Sequence, residues 1–326
     1  MSAAPRVPQR SLGRIGLTIP ALAFGAGPVS ALMTDAGARV RQLATVRAAL
    51  ALGVDWFDTA STYGNGASET SLGWVLEELG VGRSVRIGTK VRLAPDQLRD
   101  IPSAVRASVE GSLRRLGVDS VALLQLHNSV TRQRGEQSTS LTPDDVLRKD
   151  GVLAAFEQLR REGLVQHLGL TGLGDAESLE EVLRAVAWAT MQVNLNLCDS
   201  QSTVAQNRPE RAARLPALLA IRVFAGGALA GRPPSAHTLT TKFFPLAGYE
   251  RDLRRAEAMR SLLPGGVSLP EAAVRFAVHH TRVTSAIVGF GWPEEVADAA
   301  RWAGNGPLPD ELIAMITGAG VESGDP

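Results

Sequence analysis

The chain is short of the residues that usually mark compartment or chemistry. One cysteine, Cys198, stands among 326 residues; no internal disulfide can form, and a lone thiol fits a reducing cytoplasm, the expected location. Lysine is nearly missing: only Lys90, Lys149 and Lys242 occur among 34 basic residues, and tyrosine occurs only as Tyr63 and Tyr249. Net charge is also lacking. A formal charge of +1 offers no general attraction to nucleic acid or an anionic membrane, and neither is expected as a partner. No apolar run approaches the roughly 18 residues of a spanning helix, and residues 1–10 lack the apolar core of a secretion signal. No metal site is expected. What remains is a chain with 44% hydrophobic and 21% charged residues, long enough to bury a large core. It reads as a single domain over residues 1–326, with flexible ends at about 1–9 and 320–326.

From near residue 20 to about residue 304, apolar strand-like runs alternate with helical stretches. Residues 21–25 form the first run, followed by a helical pattern with Val40, Leu43, Val46 and Leu50. The next runs end at Asp58, Lys90 and His127, with helices expected over 68–79, 103–116 and 152–162. Strands five to eight are expected over 165–170, 191–194, 218–223 and 285–288, with helical material that includes 269–280 before the last. Eight strand-then-helix units point to an α/β fold, a (β/α)8 TIM barrel. The competing topology is a doubly wound open sheet, but the turn after the first run, Gly25-Ala26-Gly27-Pro28-Val29-Ser30, lacks the Gly-x-Gly-x-x-Gly dinucleotide fingerprint. Residues 14–20 resemble half of a short N-terminal hairpin that would plug the barrel bottom. Two polar, turn-rich segments, 128–150 and 232–249, give long loops after strands four and seven. They would lie on the face where barrels bind substrate and are candidate walls or lids.

Four chemically different polar groups fall at or just beyond strand ends: Asp58, Tyr63, Lys90 and His127. Each could cap its own strand. In a barrel, however, the carboxyl ends of neighbouring strands share one face, so the four would converge. A phenol exchanges protons poorly at neutral pH unless a nearby cation stabilises its anion, which requires on the order of 4 kcal/mol of differential stabilisation. Lys90 would supply the cation, Asp58 would keep the buried amine charged, and His127 would orient a substrate oxygen through a neutral ring nitrogen. Such a group suits proton transfer to and from a carbonyl oxygen. Lys90 could instead attack a carbonyl as a Schiff-base nucleophile, although a carboxylate beside it favours the unreactive ammonium.

The signature Phe57-Asp58-Thr59-Ala60-x-x-Tyr63-Gly64-x-x-x-Ser68-Glu69-x-x-Leu72-Gly73 resembles the most specific motif of the aldo-keto reductases. Residues 113–127, 163–169, 192–194 and 225–231 extend the resemblance over roughly 11–304. It implies a catalytic tetrad of Asp58, Tyr63, Lys90 and His127, with Tyr63 as the general acid/base. The implied reaction is hydride transfer between nicotinamide and a carbonyl or alcohol substrate: an aldehyde, a ketone or an aldose at C1. Asn128 after His127, with the long loop that follows, resembles the aldose-oxidising branch.

By the same resemblance, Gly25, Ala26 and Gly27 line the nicotinamide ribose side and Gln192 bonds the carboxamide. Thr171 keeps one hydroxyl of a strand-five pair that Gly172 does not complete. Arg222 or Phe224 would cover the nicotinamide face, and the amides around Gly226, Gly227 and Leu229 would meet the pyrophosphate, unless Gly226-Gly227 is a plain turn. The adenosine end falls on Gly289, Gly291 and Glu295. Because Glu295 stands where relatives that prefer NADP place an arginine, the expected cofactor is NAD or NADP with NAD favoured. A carboxylate there would equally suit a helix start. The departures at Gly172 and Ala299 also leave open a cofactor-binding regulatory or sensor protein with little turnover.

Overall fold

A computed structural model describes residues 6–13, 15–200, 216–241 and 245–318. Two short antiparallel strands, β1 (Gln9–Ser11) and β2 (Thr18–Pro20), open the chain. Eight parallel strands then close into a barrel: β3 (Leu22–Gly25), β4 (Trp56–Asp58), β5 (Arg86–Val91), β6 (Val121–Leu126), β7 (Val165–Thr171), β8 (Thr190–Asn194), β9 (Ala217–Ile221) and β10 (Val283–Gly289). Each pairs with the next in chain order, and β10 returns to pair with β3. The open doubly wound alternative is thereby excluded.

Eleven helices are described: α1 (Arg39–Ala51), α2 (Ala67–Glu78), α3 (Ile101–Leu116), α4 (Pro143–Leu147), α5 (Val152–Arg161), α6 (Ala176–Ala185), α7 (Ala236–Thr240), α8 (Leu246–Arg260), α9 (Leu269–His279), α10 (Pro293–Gly304) and α11 (Asp310–Gly318). Their boundaries follow local chemistry. The Asp100 carboxylate accepts from the Ser103 amide at 3.1 Å to start α3, which ends at the left-handed Gly117. Asp175 starts α6 and Ser268 starts α9 in the same way. Strands covered by helices outside and by side chains inside are buried on both faces. This explains why β6 is apolar except for Gln125 and why every one of its residues is buried.

The hairpin is anchored where it was expected. Leu12 and Ile19 are fully buried against Ala23, Trp56, Leu123, Leu219 and Ile287, residues that fill the barrel interior. Arg10 Nη1 donates to the carbonyl of Val278 at 2.8 Å, tying the hairpin to the end of α9. The residues just before the hairpin, within the start expected to be flexible, are packed against the barrel. Val7 is 4% exposed and its amide donates to the Leu52 carbonyl at 2.8 Å. Residues 1–5 and 319–326, including the expected flexible end at 320–326, lie outside the described residues. Strand β9 stops at Ile221 rather than at 223, because Arg222 takes a left-handed backbone conformation with φ 56°.

Of the two long loops, 128–150 is folded. Val130 bridges Leu141 and Gly174, Thr142 caps α4, and Arg134 pairs with the fully buried Asp145. Asn128 contributes its side chain to this loop, donating to the carbonyls of Leu93 (2.8 Å) and Thr139 (2.6 Å) and accepting from the Leu93 amide. The second loop carries α7, and its residues 242–244 lie outside the described residues.

Candidate active site

Strand register brings the polar strand ends together. Asp58 on β4 lies opposite Gly88 of β5, and Lys90 lies opposite Gln125 of β6, which in turn faces Gly169 of β7. A side chain on Gly169 would put a Cβ only 2.3 Å from Thr190 Oγ1, so a glycine is required where Gln125 and Thr190 crowd the barrel interior.

Asp58, Lys90 and Tyr63 form a chain of contacts. Lys90 Nζ donates to Asp58 Oδ2 at 2.5 Å, to the Thr59 carbonyl at 2.9 Å and to Tyr63 Oη at 3.1 Å. The lysine is fully buried and Asp58 is 3% exposed. Burial alone would drive the proton off Lys90. The field and hydrogen bond of Asp58, with a further contribution from Tyr63, overcome it and raise the ammonium's proton affinity above the ordinary lysine value. The ammonium also lies 4.7 Å from the centre of the Tyr63 ring. His127 meets the same ring edge-on, with centroids 5.6 Å apart. Burial, reinforced by the positive charges of Lys90 and Arg92, holds its imidazole well below the usual histidine range, so it is neutral at physiological pH. Thr62 Oγ1 lies 3.4 Å from Nδ1. A hydroxyl proton donated there leaves the ring proton on Nε2.

The motif around Tyr63 has a structural explanation. Thr59 Oγ1 and Ser68 Oγ are 2.8 Å apart, and Ser68 donates to the Ala26 carbonyl at 2.8 Å, drawing both ends of the Tyr63 loop onto the end of β3. Glu69, completely buried, accepts from Thr89 Oγ1 at 2.5 Å and pairs with Arg115 at 2.7 Å. Thr89 points outward to this network while its neighbour Lys90 points inward, so the contact fixes the strand that carries the lysine.

The expected cofactor residues fall into three groups. Among those at the site, Gly27 lies beside Tyr63, whose ring carbons would be 3.7 Å from a Cβ there. Thr171 ends β7, is 2% exposed, and its hydroxyl has no hydrogen-bond partner among the described residues; the same holds for the side-chain oxygen of Asn194 at the end of β8. Two buried polar atoms at adjacent strand ends suit a ligand bearing an amide.

Others are used by the scaffold. Gly25 pairs with Asp58 and with Gly289 inside the sheet. Ala26 is fully buried, donating to the Asp58 carbonyl and accepting from Ser68. Gln192, expected to bond a carboxamide, gives its amide to Asp58 Oδ1 at 2.6 Å. Phe224 packs on the outer apolar core. The amides of Gly227 and Leu229, expected to meet a pyrophosphate, both donate to the Phe224 carbonyl, closing a turn in which Gly226 and Gly227 have φ of 70° and 111°. Arg222 lies beside Gly226; burial lowers its proton affinity, opposed by Asp252 and Asp199.

The third group forms one cluster between loops. Glu295, in the first turn of α10, accepts from the Gly291 amide at 2.7 Å and pairs with Arg232. The carboxylate counted against NADP is therefore matched by a cation.

Sequence reasoning missed Gln125, Thr62, Arg92 and Arg232. Gln125 Nε2 donates to Asp58 Oδ1 at 3.2 Å; its signal was a lone amide inside an apolar strand. The signal for Arg92 was alternation, two residues beyond Lys90.

The family model for the aldo/keto reductases matches residues 22–320. The chain belongs to the aldo/keto reductase family. It is an NAD(P)-dependent oxidoreductase, as the family and its dehydrogenase relatives require. This family member is 28% identical to L-galactose dehydrogenase of Arabidopsis thaliana, with 90% of the chain and 87% of the relative covered. It is also 28% identical to D-threo-aldose 1-dehydrogenase of a Pseudomonas species, with 88% and 90% covered. Among solved structures it matches glycerol dehydrogenase from Gluconobacter oxydans with a TM-score of 0.72 at 22% identity, covering 100% of the chain and 98% of that protein. An aldo/keto reductase from Klebsiella pneumoniae solved with NADP and acetate matches with a TM-score of 0.68 at 23% identity, each chain covered over 93%. At these identities the structural matches speak for the barrel fold. No helix among the described residues is long and apolar enough to cross a membrane.

Proposed function

We propose that this enzyme oxidises an aldose at C1, or in reverse reduces a carbonyl, with Tyr63 as general acid/base. One observation carries the reading: the Tyr63 hydroxyl stands 3.1 Å from an ammonium that is itself held by Asp58 at 2.5 Å, with a neutral imidazole across the ring. In the oxidative direction the Tyr63 oxygen takes the proton of the C1 hydroxyl. Lys90 stabilises the charge on that oxygen before the proton arrives, and Asp58, steadied by Gln125 and Gln192, prevents Lys90 from discharging. His127 Nε2 orients the reacting oxygen. The bound dinucleotide supplies the hydride acceptor, or the donor in reduction. Thr171 and Asn194 would hold its nicotinamide end, and Arg232 with Glu295 would face its adenosine end.

The two curated relatives named for aldose oxidation support a sugar substrate. The paired Arg232 removes the ground for preferring NAD by repulsion, so NADP is admitted alongside it. The buried thiol of Cys198 has its proton affinity pushed up to about 12, mainly by burial, which keeps it protonated and unreactive.

The test is absorbance at 340 nm with aldoses and small aldehydes and either cofactor, in the wild type and in Tyr63→Phe. The variant is expected to lose about 10²- to 10⁴-fold in turnover while binding dinucleotide as before. Turnover within a few fold of wild type would remove Tyr63 from its role. Tight dinucleotide binding with no turnover on any substrate would favour a regulatory, cofactor-sensing protein.

A further inference from the structure

Position 62 is one of the two that the signature before Tyr63 leaves open, yet its side chain reaches the second group that would meet a substrate oxygen. The turn that carries it is pinned to the end of β5. The Ser61 hydroxyl donates to the Lys90 carbonyl at 3.1 Å, the Tyr63 amide to the Ala60 carbonyl at 3.1 Å and the Asn65 amide to the Thr62 carbonyl at 3.3 Å. Two consecutive residues of this turn address one imidazole. The Tyr63 ring meets His127 nearly at a right angle, 85° between planes, and Thr62 Oγ1 lies 3.4 Å from Nδ1. The histidine is held in its place: its amide donates to the Val91 carbonyl at 2.8 Å, and the residue is 9% exposed. Thr62 faces solvent. A neutral imidazole carries its one proton on either nitrogen, and the bond made by one nitrogen decides the role of the other. A carbonyl or carboxylate beside Nδ1 could only accept; it would hold the proton there and leave Nε2 with a lone pair that repels a carbonyl oxygen. A hydroxyl can donate. Among the described residues the Thr62 hydroxyl has no hydrogen-bond partner other than Nδ1, so its proton is available to that nitrogen.

We propose that Thr62 is a positioning residue: its hydroxyl donates a hydrogen bond to Nδ1 of His127 and so keeps the ring proton on Nε2, from which it bonds the oxygen on the reacting carbon. This rests on the reading of Tyr63 as general acid/base and of His127 as the group that orients that oxygen. Negative charge grows on the oxygen as the proton is exchanged, so a donor at Nε2 is worth more in the transition state than in the ground state, and a lone pair there would be a hindrance. One neutral hydrogen bond supports an effect of about threefold to tenfold. The loss belongs in kcat rather than in KM.

The experiment pairs steady-state kinetics with nitrogen-15 NMR of the full chain labelled at its five histidines, the His127 signals being those that vanish in His127→Gln. In the wild type, at a pH where the ring is neutral, Nδ1 is expected in the unprotonated, pyridine-type range and Nε2 in the protonated, pyrrole-type range. Thr62→Val keeps the shape and removes the hydroxyl; it should move both signals toward a mixture of tautomers and lower kcat about threefold to tenfold with KM little changed. Thr62→Ser, which restores the hydroxyl, should recover the signals and most of the rate. Thr62→Ala carries the test if the valine variant does not fold. A wild-type proton on Nδ1, or His127 signals that are the same in wild type and Thr62→Val, would overturn the proposal whatever the rate does. Signals that move while kcat does not would overturn the positioning role. Signals that move while no substrate is turned over even by the wild type would uphold Thr62 as the group that sets the tautomer, and the reading of Tyr63 and His127 as the reacting pair would fall.

Discussion

Replacing Asp58 with Asn isolates the electrostatic core of the site. The ion pair it breaks is almost wholly desolvated, with side-chain exposures of 1% for Lys90 and 4% for Asp58; solvent screening offers no discount. Removing one partner of such a pair costs about 3–5 kcal/mol, because the remaining charge is stranded. Asparagine would also turn an amide donor toward Lys90 Nζ or toward the amides of Gln125 and Gln192, all of which now donate to the carboxylate. With an unfolding entropy of about 2.1 cal/mol/K per residue, a chain of 326 residues should lose about 4–7 °C in melting temperature. Without its counter-ion the ammonium of Lys90 is no longer held in place beside Tyr63, so turnover should fall with stability. The decisive comparison is a double-mutant cycle with Lys90→Met. Removing the stranded ammonium as well should restore about 2 kcal/mol or more of the loss, roughly 3 °C, although activity stays absent. Costs that simply add, or Asp58→Asn melting like the wild type, would show that the 2.5 Å contact does not hold a charge in place.

Two further outcomes follow from the same geometry. His127 and His167, His237, His279 and His280 are all held below the ordinary histidine value, each chiefly by burial; below about pH 6.5 the unfolded chain binds protons that the native state refuses. Stability should therefore be intact above that pH and drop as pH falls from 7 to 5, less steeply in His127→Gln, and urea midpoints that hold or rise on acidification would contradict it. Arg232→Ala should leave Glu295 unscreened and weaken NADPH binding at least tenfold more than NADH binding, read by quenching of intrinsic fluorescence; equal effects on the two cofactors would mean that the pair lies away from the 2'-phosphate.

The barrel was legible because its signals are periodic. Eight apolar runs at regular spacing admit few closed arrangements, and strand ends in a barrel converge whatever the loops do. That geometry made Asp58, Lys90 and His127 neighbours on paper as soon as each was assigned to a strand end. The orientation of the expected cofactor residues was less legible, because which way a backbone amide or a side-chain amide points is not carried by spacing. Gln192 is an example. A buried amide at a strand end suits a carboxamide, yet across the barrel Asp58 has a second carboxylate oxygen to satisfy, and Gln192 and Gln125 both turn to it. A charge placed inside a barrel must be solvated by its neighbours. Lys90 covers only Oδ2 of Asp58, so two amides from strands β6 and β8 are drawn in to cover Oδ1. Gly88 and Gly169 belong to the same arrangement, since they are the glycines of β5 and β7 that stand in register with Asp58 and with Gln125. The chain of contacts through Asp58, Lys90 and Tyr63 thus extends inward to Gln125 and Gln192. Gln125 is linked to Tyr63 through Asp58 and Lys90, so a substitution there should be felt at Tyr63 through two intervening charges.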